Sequence, residues 1–333
     1  MATPVAPLLC CYAWTTTLLE QLAISTLNGV IYGMLLFMLA SGLTLIFGMM
    51  GVLNLAHAAM YMLGAYLGYQ ISKTLGFLPA LILAPLALGI GGALLERYGL
   101  RRVHQHGHVS ELLFTFGIAF MIQEAVQMIW GRIGVPYRIP SALDFPLFRL
   151  FSTPYPAYRI FVLLLAIAIF FGLFTALSRT RIGLIIRAAL THPGMVSMLG
   201  HDVPRVFMLV FGAGAGLAGL AGVIGGPIFV TSPSMAGALG AILFTVVVIG
   251  GLGSLPGALL ASLLVGLVQT FAVVIDVSLD DVFKIAGFTA ASTGVFSDIR
   301  HTTVAQIAPI LPYLMLLVML VVRPRGLFGS RDV

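Results

Sequence analysis

NGVIYGMLLFMLASGLTLIFGMMGVLNLAHAAMYMLGAYLGY, running from Asn28 to Tyr69, contains no Asp, Glu, Lys or Arg. A helix crosses a bilayer with about 20 apolar residues, so this stretch is long enough for two crossings. Between them the apolar pattern is interrupted by Gly48-Met49-Met50-Gly51 and then by Asn54 and His57. A join that short predicts either a tight reversal or one long broken element. The rest of the chain has the same character: of its 333 residues 60% are hydrophobic and 8% charged, where an ordinary soluble domain carries about 25% charged residues. So few charges cannot coat a water-exposed surface, which excludes a soluble enzyme.

Reading outward, apolar runs bounded by charges and Gly/Pro clusters predict spans near 22–47, 52–72, 78–96, 110–130, 159–177, 205–228, 237–251, 256–275 and 305–322. The expected fold is an all-α polytopic membrane protein of eight or nine transmembrane helices, some broken by Gly or Pro. Residues 1–21 form an N-terminal segment and 22–330 a single transmembrane domain. No Lys or Arg occurs in the first 20 residues, so targeting is expected through the first span itself. The net charge of +6 is scattered between apolar runs. That distribution fits the positive-inside rule and not a nucleic-acid-binding face. Arg97, Arg101, Arg102, Arg179, Arg181, Arg187, Arg205, Arg323, Arg325 and Arg331 mark the cytoplasmic connections. This places the N-terminus outside, the C-terminus inside, and the loops at 131–158 and 276–304 on the periplasmic side.

A second interrupted stretch, Ala241 to Leu267, repeats the pattern of Gly42 to Leu67: apolar, broken at close glycines (Gly250, Gly251, Gly253), passing a Pro or polar position (Pro256 here, Asn54 there) and resuming. Paired Gly/Pro-interrupted spans in two halves of a transporter point to internal pseudo-symmetry, with a substrate path at the breaks. By that argument Gly48, Gly51, Gly250, Gly251, Gly253 and Pro256 are candidate path residues. The alternative is that glycine simply permits close helix packing. Asn54 and His57, three apart and polar at membrane depth, are candidates on the same footing. Their other reading is that they satisfy the broken backbone. Gln123 and Glu124 on the fourth span are a third candidate pair, although nearby Trp130 and Arg132 suggest an interfacial salt bridge instead.

Several chemistries lack their residues. Neither lysine, Lys73 or Lys284, stands in the Gly-Lys-Ser/Thr setting of a phosphate-cradling loop. No HExxH occurs, the histidines at 104, 106 and 108 show no carboxylate or Cys that would complete a metal site, and the adjacent Cys10 and Cys11 cannot form an unstrained bridge. No cofactor is expected on this chain. The basic connection at 178–205 places Ile182, Ile185, Ile186 and Ala189 on one helical face, with Met195, Met198 and Leu199 following Pro193. Two short amphipathic helices result, either lying on the membrane or docking a partner.

Five stretches, Asn28 to Tyr69, Arg179 to Val206, Gly216 to Ile228, Val246 to Gln269 and the closing RPRGLFG (Arg323 to Gly329), resemble in order the membrane subunits of branched-chain amino-acid ABC importers, and among them the LivH-type permease. The resemblance spans nearly the whole chain. It implies a permease subunit paired with a second, LivM-like permease, two cytoplasmic ABC ATPases that use ATP and Mg, and a periplasmic solute-binding protein, all in a bacterial inner membrane. It also implies that the 178–205 loop docks on the ATPase, through Arg181, Arg187, Pro193, Met195, Met198, Leu199 and Gly200. Asn54 and His57 match the family's Asn-Phe/Leu-Ala-His, whereas Gly194 stands where the family often has an acid. Permeases of this wording also serve urea, short amides and aromatic acids. A stand-alone carrier or channel is the rival of a different class; it would need an ion relay of its own, and the shortage of charged residues in the spans argues against it.

Overall fold

The computed structural model describes residues 6–51, 54–150, 153–274 and 303–329. Among these, nine helices of sixteen residues or more follow one another up and down. They are α1 (Ala6–Met50), α2 (His57–Leu75), α3 (Phe77–His106, its last turns of π and 3-10 type), α4 (His108–Trp130), α5 (Ala157–Arg179), α8 (Val203–Gly225), α9 (Met235–Gly250), α10 (Leu255–Val274) and α11 (Val304–Val322). Seven of them are long and apolar enough to cross a membrane, and α2 and α9 complete the bundle as a less apolar and a shorter helix. Two short helices, α6 (Arg181–Thr191) and α7 (Pro193–Met198), lie between α5 and α8. Among the described residues the only strands form a two-stranded antiparallel hairpin, β1 (Pro146–Leu150) with β2 (Thr153–Pro156), inside the 131–158 connection.

Several expected boundaries move. α1 begins at Ala6, well before residue 22, and it runs through Gly48 to Met50, so Gly48 does not break it. The reversal instead occupies Gly51 to Ala56, where Gly51 takes a left-handed φ of +67°. First and second spans are therefore separate helices, not one broken element. Pro256 likewise interrupts no span: it is the second residue of α10, a position where its missing N–H costs nothing. The loop at 276–304 lies almost wholly outside the described residues.

Small residues decide the packing. α8 reads FGAGAGLAGLAGVIG from Phe211 and is buried along most of its length, with α1, α2 and α3 against it. A Cβ on Gly64 would lie 2.6 Å from the Cα of Gly219, so α2 and α8 meet backbone to backbone. α1 meets α10 in the same way, with Gly33 against Leu263. Lipid tails are as apolar as leucine, so burial of apolar area gives helices little reason to associate in a bilayer. Close van der Waals approach through glycine supplies it. α4, α5 and α11 turn residues such as Leu113, Phe171 and Leu317 outward, as a lipid-facing shell would.

The two ends of the bundle differ. One collects the arginines at 97, 101, 102, 179, 181, 187, 205, 323 and 325 with the α9–α10 turn and α6–α7. At the other, the hairpin is tied to α1: Thr153 donates to Glu20 at 3.0 Å, Tyr155 donates to Asn28 at 3.0 Å, and Arg159 donates to the same Asn28 oxygen. Burial raises the phenol of Tyr155 above its usual range, and the Arg159 guanidinium beside it acts in the opposite sense.

Candidate functional site

Asn54 and His57 lie at the start of α2, buried between α1, α4 and α8. The reversal leaves backbone donors exposed that an interior without water must satisfy. Asn54 folds back on itself to do so: its Oδ1 accepts from the Ala56 N–H at 3.0 Å and its carbonyl from the His57 N–H at 3.1 Å. The Leu55 N–H is taken by Thr115 Oγ1 of α4 at 3.3 Å. His57 reaches across to α1, with Nε2 at 3.0 Å from the Leu39 carbonyl. A carbonyl can only accept, so the proton sits on Nε2. Gly42 makes this possible, because a Cβ there would stand 2.9 Å from His57 Cε1 and 2.6 Å from the Gly214 carbonyl oxygen.

This bond also fixes depth. Leu39 is eleven residues before the end of α1, about 16 Å at 1.5 Å per residue, so α2 starts alongside the last third of α1, well short of its end. The two side chains thus do what the packing alternative asked of them, capping the break and linking helices. Each keeps one buried polar atom unpartnered, Asn54 Nδ2 and His57 Nδ1. One is a donor and the other an acceptor, and neither is committed to a protein partner.

Of the other path candidates, a second set gathers at the arginine-rich end. Gly48 of α1 approaches Gly253, at 3.4 Å for an added Cβ. The turn holding Gly250, Gly251 and Gly253 is closed by glycines with φ of +97° at Gly251 and +83° at Gly253. The chain's closing segment clamps it, Leu327 N–H donating to the Ile249 carbonyl at 2.8 Å and Phe328 N–H to Gly250 at 3.1 Å. Gly51 has open space around it and Pro256 is exposed. Gln123 and Glu124 join neither set. Glu124 is exposed on α4 and accepts from Gln127 Nε2 at 3.3 Å, its partner being this amide and not Arg132.

Between α5 and α8 the expected pair of short helices is present. Thr180 caps α6, its side chain accepting from the Gly183 N–H at 3.1 Å. Ile185, Ile186 and Ala189 turn inward with Val196 and Val203, while Ile182, expected on that face, is exposed. Arg181 and Arg187 are exposed, and Gly200 turns the chain at a φ of +85° toward α8. Met195, Met198 and Leu199 are 65%, 89% and 78% exposed. An apolar knob of that kind beyond the arginine-rich end of a bundle has the form of a docking surface.

Acidic partners near the histidines escaped the sequence reading. Glu96 and Glu111 are buried, Glu96 held by Arg101 at 2.8 Å and Glu111 by His104, with His108 at 3.5 Å. The signal was available in Glu111, three residues after His108 and at the mouth of an apolar span. Among the described residues, no group of three His, Cys, Asp or Glu is placed to hold a metal ion.

The chain is similar over most of its length to named transport permeases. The family described as branched-chain amino acid transport system / permease component matches residues 25–322. The high-affinity branched-chain amino acid transport system permease protein BraD of Pseudomonas aeruginosa is 26% identical over 92% of this chain and 95% of its own length. LivH of Escherichia coli K12, of the same description, is 27% identical over 74% of this chain and 84% of its own. A probable LivH permease of Methanocaldococcus jannaschii is 25% identical over 73% of this chain and 78% of its own. No solved structure matches. A multi-pass helical bundle with a glycine-packed core, matched from its first span to its last, therefore belongs to the branched-chain amino acid transport permease family.

Proposed function

We propose that this chain is one membrane subunit of an ATP-driven importer in a bacterial inner membrane, moving branched-chain amino acids delivered by a periplasmic binding protein. The observation that carries the reading is the likeness to the BraD and LivH permeases over most of the chain. The arginine-rich end faces the cytoplasm. There Met195, Met198 and Leu199 seat on an ABC ATPase, with Arg181, Arg187, Pro193 and Gly200 setting the shape and charge of the seat. A second, LivM-like permease completes the pathway, and a pair of ATPases, using ATP and Mg, switches it. This chain supplies path and lever, and the hydrolysis belongs to its partners. Within it, the break at Asn54–His57 is the part of the path that rearranges, because its polar atoms are not all committed to fixed partners.

The test is to express the tagged chain with its native gene neighbourhood, purify it, and identify by mass spectrometry what accompanies it. Recovery of a second permease and the ATPases, with ATP turnover stimulated by a valine- or leucine-loaded binding protein, is the expected result. Purification of the chain alone, moving solute in liposomes without ATP, would overturn the reading in favour of a carrier or channel.

A further inference from the structure

At the arginine-rich end the last turns of α3 leave regular α-helix. Glu96–Leu100 form a π turn, followed by a single α turn Arg101–Val103 and the 3-10 turn His104–His106. In a regular α-helix residues five apart point about 140° away from each other around the axis. The wider π turn brings Glu96 and Arg101 to one side, where Arg101 Nη2 lies 2.8 Å from Glu96 Oε2 and Nε 3.2 Å from Oε1. A buried carboxylate requires such a partner. Neutralisation does not require the third bond that Arg101 makes, Nη2 to the Pro204 carbonyl at 2.7 Å.

Pro204 is the second residue of α8, the point where the α6–α7 segment rejoins the bundle, and its neighbour Val203 packs with Ala189 of α6 and Val196 of α7. On the other side, His104, at the end of the same turns, holds buried Glu111 in the first turn of α4. One turn further along α4, Thr115 takes the Leu55 N–H at the Asn54–His57 break. Contacts therefore run without a gap from α6–α7 through Pro204, Arg101 and α4 to the break.

We propose that Arg101 is a positioning residue that ties the return of the α6–α7 segment to the ends of α3 and α4, so that displacement of α6–α7 reaches the Leu55–His57 break. The inference rests on the proposed function, since it requires ATPases seated on α6–α7. Lysine cannot replace it in full, because a single ammonium lacks the planar fork that grips both carboxylate oxygens while bonding a third group.

The experiment measures substrate moved per ATP hydrolysed, in liposomes holding the complete importer and saturating loaded binding protein. Arg101→Gln alone leaves Glu96 buried and unpaired, and folding can suffer, so the decisive variant is the neutral pair Glu96→Gln/Arg101→Gln. It is expected to hold its ATPases in native amounts while substrate per ATP drops about fivefold or more, the lower end of ordinary coupling factors. Arg101→Lys is expected to fall between it and the wild type. A second readout places Cys at position 55, in a chain whose Cys10 and Cys11 are Ser, and follows its reaction with a thiol reagent with and without nucleotide. The nucleotide dependence present with Arg101 should vanish in the double variant. A wild-type ratio in the double variant would reduce Arg101 to neutralising Glu96 and overturn the proposal, as would uptake and hydrolysis falling together. A wild-type chain that retains no ATPase would instead overturn the proposed function beneath it.

Discussion

The two reversals that the sequence presents as look-alikes, Gly51–Ala56 and Gly251–Ser254, are held by different means. At the first, side chains do the holding: Asn54 caps, His57 bonds Leu39, Thr115 takes Leu55, and two buried polar atoms remain unpartnered. At the second, backbone does most of the holding: positive-φ glycines, Gly250 pressed on Gly257, and a closing segment that adds main-chain bonds, with one side chain, Ser254, accepting from the Gly257 N–H at 3.2 Å. Side-chain bonds can be exchanged for others as helices shift, whereas a backbone-on-backbone contact has no alternative arrangement. The first reversal is thus suited to move and the second to serve as its fixed counterpart. Their near contact at Gly48 and Gly253 sets one against the other.

The largest effect should come from breaking the fixed turn. A Cβ on Gly250 would stand 2.6 Å from the Gly257 carbonyl carbon and 2.7 Å from the Ala258 nitrogen, and no flexible side-chain end is there to yield. Gly250→Val should cost at least about 3 kcal/mol and abolish monodisperse protein in fluorescence-detected size exclusion. A well-behaved variant would show that the turn is looser than its glycines imply. Next comes the reversal held by side chains. His57→Ala removes a buried hydrogen bond and leaves a void, about 2–4 kcal/mol, seen as a lower Tm of the detergent-solubilised chain. His57→Gln keeps an N–H donor and should lose less than half of that. Equal losses would mean that the Leu39 bond contributes little. Smaller again, ending the chain at Arg325 removes the bonds to Ile249 and Gly250, about 1–2 kcal/mol. Hydrogen exchange should then quicken at Gly251–Ser254 and stay unchanged at Leu55–His57.

How far these differences could be read beforehand follows from what periodicity and composition encode. Uncharged apolar runs gave the helices and nearly all their order, because a bilayer accepts little else. The amphipathic α6–α7 pair was legible for the same reason, its apolar spacing surviving Pro193. Depth was not legible: that α2 starts beside Leu39 depends on Gly42 leaving space for His57, a contact between distant residues that no local pattern announces. Gly48 and Pro256 misled because glycine and proline have two roles in membrane helices, breaking them and fitting them. Only the neighbours of Gly48 and the position of Pro256 at the start of α10 tell which applies. The Glu96–Arg101 pair stayed hidden because a spacing of five meets only across a π turn.

Glu124 tests the comparison from outside both reversals. An acid in a span is by default a functional residue, and on that ground it stood beside Asn54 and His57. Its surroundings differ in the respect that decides the matter: Asn54 and His57 are buried with polar atoms unpartnered, while Glu124 is exposed and accepts from Gln127 one turn on. An exposed pair of this kind contributes little, and neutralising it leaves no buried charge behind. Glu124→Gln should therefore stay within about 0.5 kcal/mol of the wild type and leave uptake unaltered, and Gln123→Ala should do the same. If Glu124→Gln instead abolished uptake while Tm held, the path would run along the outer face of α4 against a neighbouring subunit. The buried break would then be a hinge for that path and no part of its lining.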